Sequence, residues 1–332
     1  MNKQTIKARS GCCNHGVLSV MQTEFRRDPT RTLTIRNQFA SDMASRFIAI
    51  RGAIRKAVVE EDVLGLVNPA QIVSEQPIVL VSPPLSTPGN EAFAFQRSGE
   101  KVASFMDWLK RQEQRGILQI SEFSQVGTGI EGAWTNKYIQ SSYQQGIKRA
   151  RQEMRKAGIG APTIEQSGRI AGVFNQPFHV DRAGLLFTRT FEDLKGITSA
   201  MDGQISRVLS EGIAQGLNPN VIARQLTKTI SGPVSGLGIT DTLGRFIPAQ
   251  RRAKVLARTE VIRAHHQATI QEYRNFAVAG VKVIAELRTA GDDRVCTQCE
   301  SLEGETFTLE KAESIIPVHP DCRCIFIPIP VS

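Results

Sequence analysis

Aromatic residues are scarce in this chain of 332 residues: Phe, Trp and Tyr make up 6%, with two tryptophans and three tyrosines. Leu, Ile, Val and Ala must therefore fill most of any core. Long apolar runs are missing too. No stretch approaches the roughly 18 consecutive apolar residues that span a bilayer. The run Val17-Leu18-Ser19-Val20 is too short for the apolar part of a secretory signal. These absences point away from a membrane and towards a cytoplasm, where thiols stay reduced and clustered cysteines read as metal ligands before disulfides. Catalytic signatures are absent as well. There is no Gly-x-Ser-x-Gly, His-Glu-x-x-His or Walker sequence, and no Lys-Ser/Thr follows Gly232, Gly236 and Gly238. Nucleophilic and hydrolytic catalysis thus lack sequence support, no catalytic residue is assigned, and the expectation is a protein that is not an enzyme.

What remains is an ordinary folded composition, 41% hydrophobic and 22% charged. The length allows two domains, or one with a helical extension. The net charge of +9 is unevenly placed. Residues 1–56 hold eleven Lys and Arg against the acids Glu24, Asp28 and Asp42, so nearly all the excess lies in the first sixth of the chain. A concentrated basic arm suits a polyanion such as double-stranded DNA, bound without regard to sequence. It equally suits a solvated helix face. Arg26, Arg27, Arg31, Arg36, Arg46, Arg51, Arg55 and Lys56 are the candidate DNA contacts.

Periodicity predicts a mainly helical α+β protein. Residues 1–27 read as an extended or disordered arm. Asp28-Pro29 reads as the cap and first position of a long amphipathic helix within 28–74. Its apolar stripe, from Leu33 through Phe39, Met43, Phe47, Ile50, Ile54 and Val58 to Val63, reaches about Leu66. Roughly 37 residues would make a rod on the order of 55 Å. Pro77, Pro83, Pro84 and Pro88 mark 75–91 as a linker. A helical domain follows over 92–248. It has helices at Gly99–Arg115 and Gly132–Lys156, the latter ended by Gly158, then three in series from His179 to Ile230 with breaks near Gly196 and Gly216. Another helix covers roughly 249–277 and opens a C-terminal domain, 249–332. There Val281, Val283, Ala285 and Leu287 alternate with Lys282, Ile284, Glu286 and Arg288, a strand pattern. Glu303-Gly304-Glu305 reads as a hairpin turn, and Cys324-Ile325-Phe326-Ile327 as a closing strand ended by Pro328 and Pro330.

The sharpest signal lies in that last domain. Cys296-Thr297-Gln298-Cys299 is followed, nineteen residues on, by His319-Pro320-Asp321-Cys322-Arg323-Cys324. Zinc takes four N or S ligands in a tetrahedron, and two short-spaced pairs can each grip one edge of it. Two tetrads are open: Cys296, Cys299, His319 and Cys322, or all four cysteines, with the histidine-containing set slightly favoured. Either site is closed, with no position left for water, and so is structural: it staples a small β-element that has little core of its own. The competing readings are thiols packed as small hydrophobes, or a disulfide pair. Cys12-Cys13-Asn14-His15 is a poor second site, because adjacent cysteines chelate badly and no matching pair lies nearby. Asp292 and Asp293 read as turn residues. His265 and His266, adjacent on a helix, face different directions.

Ala257-Arg258-Thr259-Glu260, Gly291-Asp292-Asp293-Arg294-Val295-Cys296-Thr297-Gln298-Cys299, Leu302-Glu303-Gly304 and His319-Pro320-Asp321-Cys322-Arg323-Cys324 together resemble the phage Mu protein F-like family, minor head morphogenesis proteins of tailed bacteriophages. These motifs cover about 250–328; Asp28-Pro29-Thr30-Arg31 and the tryptophan-bearing helices resemble the family less distinctively. The resemblance implies a minor capsid protein that associates with the portal inside the head, and with major capsid or scaffold protein as further partners. It implies oligomeric assembly in the host cytoplasm, a place in the virion head interior, and a role in procapsid assembly, DNA packaging or delivery. Cys299, His319, Cys322 and Cys324 fall on the family's Cys/His cluster. Arg258 and Glu260 fall on its helix signature, read here as an ion-pair anchor between helix and β-element. The alternatives are an enzyme acting on nucleic acid or NAD, a nuclease or ADP-ribosyltransferase dependent on Glu260, His265 or Asp293, and a simple DNA-binding module.

Overall fold

The computed structural model describes residues 28–66, 98–120, 132–232, 247–278 and 280–331. The expected arm at 1–27, the linker at 75–91, most of the glycine-rich loop at 231–248, and the contacts Arg26 and Arg27 lie outside the described residues. Nine α-helices and three strands are described: α1 (Leu33–Arg55), α2 (Ser98–Arg115), α3 (Asn136–Lys156), α4 (Ile170–Phe174), α5 (Pro177–Ala214), α6 (Pro219–Ser231), α7 (Ala249–Val278), β1 (Val283–Arg288), α8 (Thr297–Glu300), β2 (Thr306–Phe307), α9 (Leu309–Ala312) and β3 (Ile325–Pro330). The fold is α+β, predominantly helical, with one small C-terminal sheet.

The first helix is shorter than its apolar pattern suggests. After α1 the chain makes a π-helical turn, Lys56–Glu60, and then reverses. Asp62 and Gly65 take left-handed backbone angles (φ 42° and 57°), and Asp62 Oδ1 accepts from Leu66 N at 2.9 Å. Val63 and Leu64 are buried, but the turn folds them in; they do not continue the helical stripe. Asp28 does cap the helix, although from five residues back rather than next to it. Its Oδ2 accepts the orphan N–H of Leu33 at 2.6 Å, an arrangement allowed by Arg31 at φ 55°.

Gly196 breaks nothing. α5 runs through it for 38 residues. A mid-helix glycine costs about 1 kcal/mol, and the buried stripe of Leu194, Met201, Ile205 and Leu209 outweighs that. The break at Gly216 (φ 64°) is present, and Asn218 accepts from Asn220 N at 2.9 Å to start α6 at Pro219. α3 ends as expected: Gly158 is left-handed (φ 78°), and Ile159 N returns to Met154 O at 2.9 Å.

α7 is the hub. One side of it, Ala249, Ala253, Ala257, Val261, Ala264 and Ala268, belongs to the large helical core with Phe39, Phe47, Tyr143 and Leu194. Its other side, Ile262, Ile270 and Tyr273, belongs to a second core with Ala285, Leu287, Phe326 and three cysteines. α3 crosses α7 at very short range. A methyl group on Gly146 would sit 2.3 Å from His265 O and 2.8 Å from Ala268 Cβ. Ser142 Oγ donates to Val261 O at 2.6 Å one turn earlier.

The sheet has the order β2-β1-β3, antiparallel throughout. Val283, Ala285 and Leu287 face inwards, as the alternation predicts. Pro328 and Pro330 do not end β3; they pair opposite Ala285 and Val283. β3 is an edge strand, where a missing N–H can face away from the ladder.

Two outcomes follow. Gly146→Ala destabilises the protein by on the order of 1–3 kcal/mol through overpacking at backbone contact. Gly52→Ala, where nothing lies within 4 Å, is neutral or stabilising by roughly 0.5–1 kcal/mol. Urea denaturation of both variants separates these effects. The second concerns acid. Burial pushes the fully enclosed His265 and His266 down to about 3 and about 4. The unfolded chain therefore binds protons that the folded chain refuses. Stability is full above about pH 6.5 and falls as pH drops towards 4, by up to about 1.4 kcal/mol per pH unit for each histidine. Melting temperatures between pH 7 and 4 should show this slope, and His265→Leu should flatten it.

Candidate metal centre

Three short segments bring the donors together. β1 delivers the chain to a turn, where Asp292 O accepts from Val295 N (3.1 Å) and Asp292 Oδ1 from Arg294 N (3.2 Å). This turn leads into α8, whose cap is Cys296: its sulfur accepts from Cys299 N at 3.4 Å, the local shape of a two-cysteine knuckle. On the far side, Cys322 N bonds to His319 O at 3.2 Å, closing a turn helped by Asp321 at φ 61°. β3 then carries Cys324 back beside the knuckle.

The five predicted donors fall into two overlapping groups of three. Cys296, Cys299 and His319 offer atoms within 4.8 Å of one another, and so do Cys299, Cys322 and Cys324. Cys299 is common to both groups. All four cysteines are free thiols. His319 Nδ1 lies 2.7 Å from Pro320 O, so that nitrogen donates and Nε2 keeps its lone pair, 3.2 Å from Cys299 Sγ. That is the tautomer a metal-ligating histidine needs. The Cys322 thiol is pulled down to about 5, chiefly by a hydrogen bond from Cys324 and also by backbone N–H groups. Burial, together with the neighbouring sulfurs, pushes Cys299 up to about 12. The sulfurs thus lie within hydrogen-bonding reach of one another. Four sulfurs and one nitrogen, with no hard oxygen ligand among them, fit zinc.

The frame around the donors is ionic. Arg323, between two cysteines, makes two parallel 2.6 Å bonds to Asp292. Asp321 N bonds to Thr259 Oγ1 of α7 at 3.1 Å. Beside them, Arg36 pairs with Asp28 at 2.7 Å and lies within electrostatic reach of Arg323 and Asp321. The sequence reading missed Arg323 and Thr259 as supports. Their place inside the motifs was the available signal.

Arg258 and Glu260 do not form one anchor. Two positions apart on α7, they point in different directions. Arg258 reaches Asp321 of the cysteine loop at 3.5 Å, a half-exposed pair worth at most about 1 kcal/mol. Glu260 is buried and faces Arg263 at 3.0 Å and Arg189 of α5 at 3.5 Å. Glu260 and His265 are buried on α7, and Asp293 stands exposed on the turn.

The basic residues on and beside α1 differ in exposure: Arg36 is buried, Arg46 and Arg51 are half-buried, and Arg31, Arg55 and Lys56 are exposed. Arg36 is buried on Asp28 and unavailable to a duplex. Arg46 stacks over Trp134 at 3.9 Å and donates to Gly116 O. Arg51 donates to Ser231 Oγ at 2.9 Å, Arg31 to Gln152 at 3.4 Å, and Lys56 pairs with Glu61 at 3.0 Å. Arg55 is exposed. Among the described residues no helix is long and apolar enough to cross a membrane.

Residues 203–327 match the model of a protein family described as phage Mu protein F like protein. The matched stretch runs from the second half of α5 into β3 and takes in α6, α7 and every member of the Cys/His cluster. Over this region the chain is similar to the phage Mu protein F-like family, in agreement with the C-terminal motifs. The match does not extend to Asp28-Pro29. No curated protein and no solved structure matches the chain.

Because Cys299 serves both donor groups, Cys299→Ser should abolish stable zinc uptake. Of the other four donors, one should be dispensable, and single Ser or Ala variants identify it. Zinc content by elemental analysis, with a chromophoric chelator as competitor, reads both results.

Proposed function

We propose that this protein is a head morphogenesis protein of a tailed phage, a minor component of the head interior associated with the portal, and that it acts by structure rather than catalysis. The match over 203–327, ending on a convergent set of sulfur and imidazole donors, carries this reading. Four of Cys296, Cys299, His319, Cys322 and Cys324 would hold one zinc ion. The metal would supply cross-linking alone: it fixes the 289–296 turn to the 319–324 turn. The residues around it do the rest. Asp292 and Arg323 hold the turns in register, and Thr259 and Arg258 dock the loop on α7.

Assembly with portal, and with major capsid or scaffold protein, would place the chain where DNA enters or leaves the head. Contact with that DNA would fall to exposed cations such as Arg31, Arg55 and Lys56, because Arg36 is buried on Asp28. Such contacts would be salt-sensitive and indifferent to sequence.

Co-expression with a portal protein encoded in the same genome tests the assignment. The two should elute together from size exclusion with about one zinc per chain, and Cys299→Ser should reduce co-elution by loosening the C-terminal element. Independent elution at all salt concentrations, with portal competent to assemble, would defeat the portal reading. Metal-free protein of undiminished thermal stability would defeat the clasp.

A further inference from the structure

Away from the cysteines, three helices enclose a second feature that a clasp does not use. Arg151 of α3, Gln176 and Phe178 at the start of α5, and Glu272, Asn275 and Phe276 of α7 line a cavity of about 290 Å³. Two of its lining residues, Arg151 and Glu272, belong to a relay of buried polar groups that runs on behind the wall. Tyr143 Oη donates to His179 Nδ1 (3.0 Å), His179 Nε2 donates to Glu272 Oε1 (2.8 Å), and Arg151 Nε donates to Glu272 Oε2 (2.7 Å). Arg151 is 8% exposed and Glu272 1%. Burial works against the Glu272 carboxylate, but the bonds from His179 and Arg151 more than offset it and keep the group ionised. Charges held so deep are costly, and these are fixed in orientation by their neighbours.

The lining defines what would fit. Arg151 and Glu272 cancel, so net charge selects nothing. Arg151 spends one N–H on Glu272 and another on Ser167 Oγ (2.6 Å), which leaves three of its five donors. Glu272 accepts from Arg151, His179 and Asn275 Nδ2 (3.3 Å), three of about four lone-pair sites. Gln176 adds an amide with both a donor and an acceptor. Phe178, 42% exposed, and the half-buried Phe276 supply flat apolar surface. A planar heterocycle with donors and acceptors along its edge matches this set: rings for its faces, mixed polar groups for its rim.

We propose that this cavity is a nucleobase site, taking the base of a free nucleotide or an unpaired base of a nucleic-acid strand. Stacking on aromatic side chains is tolerant of base identity, and losing one such ring weakens binding by about tenfold.

Calorimetric titration of the full-length protein tests this. The probes are AMP, GMP, CMP and TMP, ribose 5-phosphate, a short single-stranded oligodeoxynucleotide, and the blunt duplex of the same sequence. Saturable binding of a mononucleotide or of the single strand is expected, about tenfold weaker in Phe178→Ala and in Asn275→Ala. Binding of mononucleotides makes the free nucleotide the source; binding of the strand alone makes it an unpaired base. Absence of saturable binding overturns the proposal. So do equal binding of ribose 5-phosphate, preference for the duplex, or affinity unchanged in both variants. Thermal melts verify folding, and Gln176→Ala replaces Asn275→Ala should the latter unfold.

Discussion

The architecture depends on one close approach. Where α3 crosses α7, a backbone carbonyl of one helix occupies the space that a side chain on the other would need, and Gly146 is what permits it. With the helices so near, the alanines of α7 are large enough to fill the interface. α7 can then be buried on both flanks, serving the helical core on one and the sheet-and-cysteine core on the other. A helix enclosed on both sides shows no strong amphipathic stripe, and α7 carries buried histidines, threonine and glutamate where a one-sided helix would carry solvent-facing polar groups.

The C-terminal element solves a different problem. Its sheet has a two-residue strand on one edge and a proline-containing strand on the other, and holds only 14 residues in its three strands. Elements of this size rarely hold themselves together without a cross-link or a metal. Here they rest on α7 through Tyr273, whose hydroxyl donates to Phe326 O at 3.1 Å, and through His266, whose Nε2 donates to Ala312 O at 3.0 Å. The donor cluster belongs to the same packed element, so packing and metal would share the work.

The helices, the alternating strand β1 and the Cys/His cluster were legible because each is written locally: a 3.6-residue period, a two-residue period, and paired short spacings. The misreadings share a cause. Gly196 and Pro328 are breakers by local chemistry, and the structure overrides both with long-range context, a buried stripe in one case and an edge position in the other. Val63 continued a period whose helix had already ended, because a left-handed turn can bury a residue as well as a helix can. The partners of Arg46 and Arg51, Trp134 and Ser231, lie 88 and 180 positions away, beyond the reach of any local pattern. The Tyr143–His179–Glu272–Arg151 relay was invisible for the same reason: no two of its members share a motif.

The ion pair of Arg36 with Asp28 lies within electrostatic reach of Arg323, so the start of α1 sits beside the loop that carries Cys322 and Cys324. Mechanically, the cap of α1 and the cysteine loop share a pole of the fold. A load on Asp28 would reach the helical core through α1 and the cysteine loop through Arg323 at the same time.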